Sequence, residues 1–326
     1  MYSLIHFRCF FRQFILISLA LFTVSKHSYS QAVPDYPDVS YGPEERQWLN
    51  IYTAPSVTPT PVFIYSHSNG ATADNISAAI IDDLKAAGIS TVSWESLLNL
   101  ATPNDVATSW NDAELMLAWV KSNANTYNFD VSKLIVGGSS RGTVASWKLA
   151  HSNDPAIRGL YMYNALPDQV WSFPETWIPT NDVTESSPPL CFVYNVSPMD
   201  PTDVHDPDNG FTIVDRYEEL DRADRVTLIH SIGTSGDTDR FQFLVDFALT
   251  SIGREPGLNY TFTYEDGIAR VSWDTMIGRK YQIQRSIDLK VWDDLVMVSG
   301  DNRSVMRQEI NSNESSFYRI QFLFDQ

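Results

Sequence analysis

Cysteine is nearly absent: two residues in 326, Cys9 and Cys191. Cys9 lies in the N-terminal leader described below, so one thiol remains afterwards, and a disulfide framework within the chain is excluded. Cys191 sits in the apolar run Pro189-Leu-Cys-Phe-Val-Tyr194, where a buried strand thiol is expected. Histidine is also scarce, six in all, and neither His nor Cys recurs at metal-ligand spacing. Basic residues are outnumbered, 23 against 40 acids, for a formal charge of −17. So acidic a chain disfavours nucleic acid and anionic membranes as partners. Beyond residue 30 no apolar run approaches the roughly 20 residues that a membrane-spanning helix needs.

The first thirty residues stand apart. Arg8 and Arg12 precede the apolar run Phe14–Val24, and small residues at Ser28 and Ser30 offer a cleavage site before Gln31. That is the pattern of a secretory signal peptide, and it predicts a secreted or periplasmic protein with no membrane span after cleavage. Loss of Arg8, Arg12 and Lys26, with no acid, moves the formal charge from −17 by three to −20.

From Tyr41 to about Ile252, strand-like and helix-like segments alternate. Pro61–Ser66, Ser90–Trp94, Leu134–Val136, Ile157–Tyr163, Leu190–Tyr194 and Val226–Ile229 read as buried strands. Asn75–Ala87, Asp105–Asn123, Thr143–His151, Phe211–Ala223 and Arg240–Ile252 read as helices. The alternation predicts an α/β fold, a mostly parallel sheet flanked by helices, with its site at the carboxyl ends of the strands. A Pro- and Trp-rich stretch between Asn164 and Pro189 interrupts it, as either a packed surface loop or an aromatic cap. After Gly253-Arg-Glu-Pro-Gly257 helical periodicity ends. Tyr260–Tyr264, Ala269–Trp273, Lys280–Arg285 and Phe317–Phe322 then predict a small all-β sandwich. The expected organisation is a leader (1–30), an α/β domain (31–253) and a β-sandwich (258–326).

The chemistry concentrates in Gly138-Ser-Ser-Arg-Gly142, a G-x-S-x-G sequence between the strand Leu134–Val136 and a helix. A sharp turn there lifts the Ser140 hydroxyl above the sheet, and the flanking glycines allow strand and helix to close on each other. A serine nucleophile needs a base, and the base needs an orienting acid. Four histidines remain beyond residue 30: His67, His151, His205 and His230. His151 lies at the far end of the helix after the turn. His67 opens the loop His67-Ser-Asn-Gly70, a place better suited to oxyanion donors. His205 lies in an acidic loop. His230 follows the last strand at its carboxyl end and is the expected base. Asp200 and Asp203 are the candidate acids, with Asp206 a poorer third. The order Ser, Asp, His is one of those that triads take along the chain.

On these residues, the region from Tyr41 to Ile252 resembles the α/β-hydrolases, and among them exported esterase- and lipase-like members. Gly138–Gly142 matches that family's elbow, His67-Ser68-Asn69-Gly70 resembles its H-G-G-G oxyanion loop, and Asp112 with Ala118-Trp119-Val120 resembles the helix before the elbow strand. The resemblance implies that Ser140 is the nucleophile. It also implies one oxyanion donor at the Arg141 backbone N–H and a second at Ser68 or Asn69. The family's H-G-x-x-D spacing favours Asp200 over Asp203. Two departures accompany it. Ser68 and Asn69 replace glycines, and Ser231–Asp239, where the family carries its His, contains none. Gly278–Leu295 with Phe317–Ile320 resembles fibronectin-III-like modules of secreted proteins. The expected activity is hydrolysis of a small-molecule or glycan-linked carboxylic ester through an acyl-enzyme, with no cofactor. The alternatives are a degenerate hydrolase scaffold that binds a ligand or glycan, and a protein whose main role resides in the β-sandwich.

Overall fold

The computed structural model describes residues 31–165, 177–198, 205–232, 241, 243–253, 260–265, 268–274, 279–287, 290–299, 304–310 and 317–324. The leader lies outside these residues, as do Pro167, Trp171 and Pro174 of the aromatic stretch. Among the described residues no helix is long and apolar enough to cross a membrane.

One sheet holds eight strands. They are β1 (Tyr36–Ser40), β2 (Trp48–Tyr52), β3 (Thr60–Ser66), β4 (Ser90–Trp94), β5 (Phe129–Ser139), β6 (Ile157–Tyr163), β7 (Leu190–Val193) and β8 (Val226–Ile229). Their order is β1-β2-β4-β3-β5-β6-β7-β8. The pairs β1–β2 and β2–β4 are antiparallel and every pair from β4 to β8 is parallel. Every residue of β3, β4 and β7 is buried, as expected of strands covered on both faces.

The covering helices are α1 (Ala78–Ala86), α2 (Pro103–Ser122), the single turn α3 (Ala124–Tyr127), α4 (Gly142–Ala150), α5 (Asp208–Glu219) and α6 (Leu244–Ser251). Alternate strand residues feed two cores. Ile64, Val92, Val136 and Phe192 pack with Met116 of α2, Trp147 of α4 and Tyr217 of α5. Phe63, Tyr65, Ile135 and Val193 pack with Leu84 of α1 and Phe247 of α6 on the other face. A capping box between Thr102 and Asp105, with Pro103 inside the first turn, starts α2 two residues before its expected beginning.

Strand β1 escapes sequence reading because it is an exposed edge containing Pro37. Strand β5 begins at Phe129, ahead of the apolar core Leu134–Val136, because Asp130–Lys133 is polar and partly exposed yet still in the strand.

Further along, β9 (Tyr260–Glu265), β10 (Ile268–Asp274) and β13 (Ser304–Ile310) form an antiparallel sheet in the order β13-β10-β9. A second contains β11 (Arg279–Ser286), β12 (Asp293–Ser299) and β14 (Phe317–Phe324) in the order β12-β11-β14. Buried Trp273 of the first sheet packs with Tyr281, Ile283 and Val298 of the second.

Candidate active site

The turn between β5 and α4 holds Ser140 at φ 52°, in the left-handed region that costs a non-glycine residue about 1–2 kcal/mol. Neighbouring atoms hold it there. The Ser140 N–H donates to the Tyr163 carbonyl at 2.8 Å, and the Ser140 carbonyl accepts from the Thr143 N–H at 3.0 Å and its hydroxyl at 2.6 Å. The flanking glycines are steric necessities. A Cβ on Gly142 would lie 2.1 Å from the Ser66 carbonyl oxygen and 2.4 Å from that of His67. One on Gly138 would lie 2.6 Å from the carbonyl carbon of Gly142. The elbow helix therefore starts in direct backbone contact with the end of β3, where the His67–Gly70 loop leaves the sheet.

The Ser140 Oγ lies 3.0 Å from Nε2 of His205. His205 precedes α5, and its turn is fixed by Asp206, whose Oδ1 accepts the Asp208 N–H at 2.9 Å and whose carbonyl accepts the Asn209 N–H at 3.0 Å. The residue expected opposite Ser140 is His230. His230 does sit at the carboxyl end of β8, but it is exposed. Its Nδ1 lies 2.9 Å from the Ser231 hydroxyl, which in turn lies 2.8 Å from that of Ser197. Its ring meets Phe211 edge-on. The turn at the start of α5, held by Asp206, sets the His205 ring against the elbow. Asp200 and Asp203 lie outside the described residues.

The other two histidines are engaged elsewhere. His151, at the end of α4, stacks on Trp147 with ring centroids 4.1 Å apart, and its Nδ1 lies 3.0 Å from the Trp147 carbonyl. Burial holds its pKa below the ordinary histidine value. His67 is tied by Nε2 to Glu95 Oε1 at 2.8 Å and by Nδ1 to the Ser68 carbonyl at 2.9 Å. Glu95 also accepts the Ala73 and Ser96 N–H groups, each at 3.1 Å, and Tyr41 donates to its carbonyl at 2.5 Å. The Ser96 hydroxyl reaches buried Asp112 Oδ2 at 2.5 Å, and Gln47 donates to Asp112 Oδ1 at 2.6 Å. Asp112 thus joins α2 to the end of β4, and Glu95 joins β4 to the His67–Gly70 loop. The sequence reading did not single out Glu95.

Ser68, Asn69 and Arg141 border one small cavity, so the structure brings the three expected oxyanion residues together. Among the described residues no acceptor takes the Ser68 or Asn69 backbone N–H. The N–H groups of Gly70 and Ala71 are engaged by the Leu98 and Ser68 carbonyls. The Arg141 guanidinium turns from the hydroxyl of Ser140 to donate to the Leu100 carbonyl at 2.6 Å, and burial lowers its pKa.

No protein-family model and no curated protein sequence matches the chain. Solved structures do. A truncated carbohydrate esterase from gut microbiota superimposes with a TM-score of 0.54 at 17% identity, over 71% of this chain and 99% of that one. Thermogutta terrifontis esterase 2, phosphorylated by paraoxon, gives 0.53 at 12% identity over 68% and 95%. The esterase LipW from Mycobacterium marinum gives 0.50 at 19% identity over 66% and 79%. The fold is that of the α/β-hydrolases. Within this sheet the elbow follows β5 and the His67–Gly70 loop follows the adjacent β3. Both stand at carboxyl ends of parallel strands, where this architecture places its ligands. His205 stands just ahead of α5, on the carboxyl side of β7 in the chain.

Proposed function

We propose that the protein is an exported carboxylic ester hydrolase that works through an acyl-enzyme on Ser140. The observation that carries this reading is the 3.0 Å approach of Ser140 Oγ to His205 Nε2, on an elbow whose backbone is held at positive φ. His205 takes the hydroxyl proton as Ser140 attacks the ester carbonyl, then returns it to the departing alkoxide. Water repeats the cycle and releases the acid. The negative charge on the carbonyl oxygen falls to the N–H groups of Ser68 or Asn69 and of Arg141. Asp200 or Asp203, from the loop that also carries His205, supplies the carboxylate that orients the imidazole.

Small esters, free or glycan-linked, are the substrate class. The glycan arm draws support from the likeness to a carbohydrate esterase. The same reading takes 1–30 as an export leader, 31–253 as the catalytic domain and 258–326 as an appended module. Turnover of p-nitrophenyl acetate by the protein, lost in Ser140→Ala and in His205→Ala, is the expected result. Turnover that survives Ser140→Ala would overturn the proposal.

A further inference from the structure

The ring of His67 lies between two groups that accept hydrogen bonds. Its Nε2 stands 2.8 Å from Oε1 of Glu95, and its Nδ1 stands 2.9 Å from the Ser68 carbonyl oxygen. A neutral imidazole has one N–H and one bare lone pair. It would set that lone pair against an oxygen at one of the two contacts. The side chains of His67 and Glu95 are only 7% and 8% exposed, so the mismatch would be buried.

Glu95 is itself surrounded by donors. Its Oε1 also accepts the Ser96 N–H and its Oε2 the Ala73 N–H, each at 3.1 Å. Hydrogen bonds of this kind favour the ionised carboxylate. A buried carboxylate then needs a cation beside it. Neighbouring ionisable groups do not supply one. Asp112 has the same sign and is paired with Arg46 at 3.1 Å. Tyr41 donates its hydroxyl to the Glu95 backbone carbonyl, and burial pushes its pKa up. Among the described residues, His67 is the one basic side chain within ion-pair distance of Glu95. We infer that His67 is an imidazolium with hydrogen on both ring nitrogens. We infer further, resting on the ester hydrolase reading above, that His67 and Glu95 are a positioning pair for that reaction.

The pair acts through the Ser68–Asn69 peptide. The Ser68 carbonyl accepts from His67 Nδ1 and also from the Ala71 N–H at 3.1 Å. In a planar trans peptide the N–H points opposite to the carbonyl, so these two donors also aim the Asn69 N–H. Among the described residues no acceptor takes that N–H. Of the two candidate oxyanion donors in the loop, Asn69 is therefore the one whose direction His67 sets. Glu95 acts on it through the ring, and neither side chain needs to meet the substrate.

The first test is NMR of the protein carrying 15N-labelled histidine, at a pH about one unit above the ordinary histidine value of about 6.5. Both ring nitrogens of His67 should carry hydrogen, with the signals assigned by their loss in His67→Gln. A bare ring nitrogen in the wild type would overturn the inference. In folded Glu95→Gln the counter-charge is gone, and one of the two ring hydrogens should go with it. Two ring hydrogens retained there would show that Glu95 does not hold the charge, and would equally overturn it. The second test is kinetic, with p-nitrophenyl acetate. Misaligning a donor used only in the transition state lowers kcat and leaves KM little changed. Folded His67→Gln should lose about 100-fold in kcat. Wild-type kcat in that variant would overturn the positioning role. A wild type that turns over no ester, and whose Ser140 takes no fluorophosphonate, would remove the hydrolase reading and the positioning role with it. The ring hydrogens would still decide the charge on His67.

Discussion

Gly142→Ala sets two effects of opposite sign against each other. Gly142 is the first residue of α4, and in a helix alanine is favoured over glycine by about 0.8–1.0 kcal/mol. On propensity alone the substitution stabilises. The tertiary environment opposes it. The new Cβ would stand 2.1 Å from the Ser66 carbonyl oxygen, 2.6 Å from its carbon and 2.4 Å from the His67 carbonyl oxygen. All three are backbone atoms, so no side chain can swing aside, and helix and oxyanion loop must part by about 1 Å. Overpacking of this kind costs about 1–3 kcal/mol, which outweighs the propensity gain. A catalytic group displaced by 1 Å costs about 100-fold in rate. The variant should therefore melt several degrees below wild type, at about 2–4 °C per kcal/mol for a domain of this size. It should also lose about two orders of magnitude in kcat/KM on p-nitrophenyl acetate. Gly253→Ala is the control. Its glycine has φ +74° with nothing within 4 Å of a Cβ, so it should lose stability and keep its rate. A Gly142→Ala protein with wild-type melting temperature and kcat/KM would refute the close approach of elbow and loop.

Other expectations follow from the same contacts. Glu95→Ala removes the acceptor for His67, Ala73 and Ser96 in a buried setting, and denaturant unfolding should show a loss of about 3–5 kcal/mol. An unchanged midpoint would contradict the link between β4 and the oxyanion loop. His151 is held neutral by burial, its pKa below the ordinary histidine value. The unfolded chain then binds the proton that the folded chain refuses, so stability present at pH 7.5 falls as pH drops below about 6.5. His151→Gln should flatten the melting temperature between pH 7.5 and 5, and an undiminished slope would show that this histidine does not contribute.

The parallel sheet is legible because β3 and β7 carry continuous apolar runs, and the elbow because Gly138–Gly142 encodes its own turn. Neither depends on distant residues. The base does. His205 lies 65 residues from Ser140 in the chain, and nothing in the pattern around residue 205 records their approach. Its position in an acidic loop points instead to the triad acid, and the place of His230 at the carboxyl end of the last strand favours that residue as the base. Exposed β1 and the polar start of β5 escaped for a different reason: their pairing uses backbone groups, with little apolar alternation to mark it. Glu95 escaped because a single acid after a strand carries no sign that it will be buried against His67.

The central claim is that Ser140 is a nucleophile activated by His205. Its most direct test is fluorophosphonate labelling of the wild type, His205→Ala and His230→Ala, with the labelled residue located by peptide mass spectrometry. Rapid labelling at Ser140 in wild type and in His230→Ala, with labelling lost in His205→Ala, is the predicted outcome. Labelling that survives in His205→Ala and disappears in His230→Ala would contradict it.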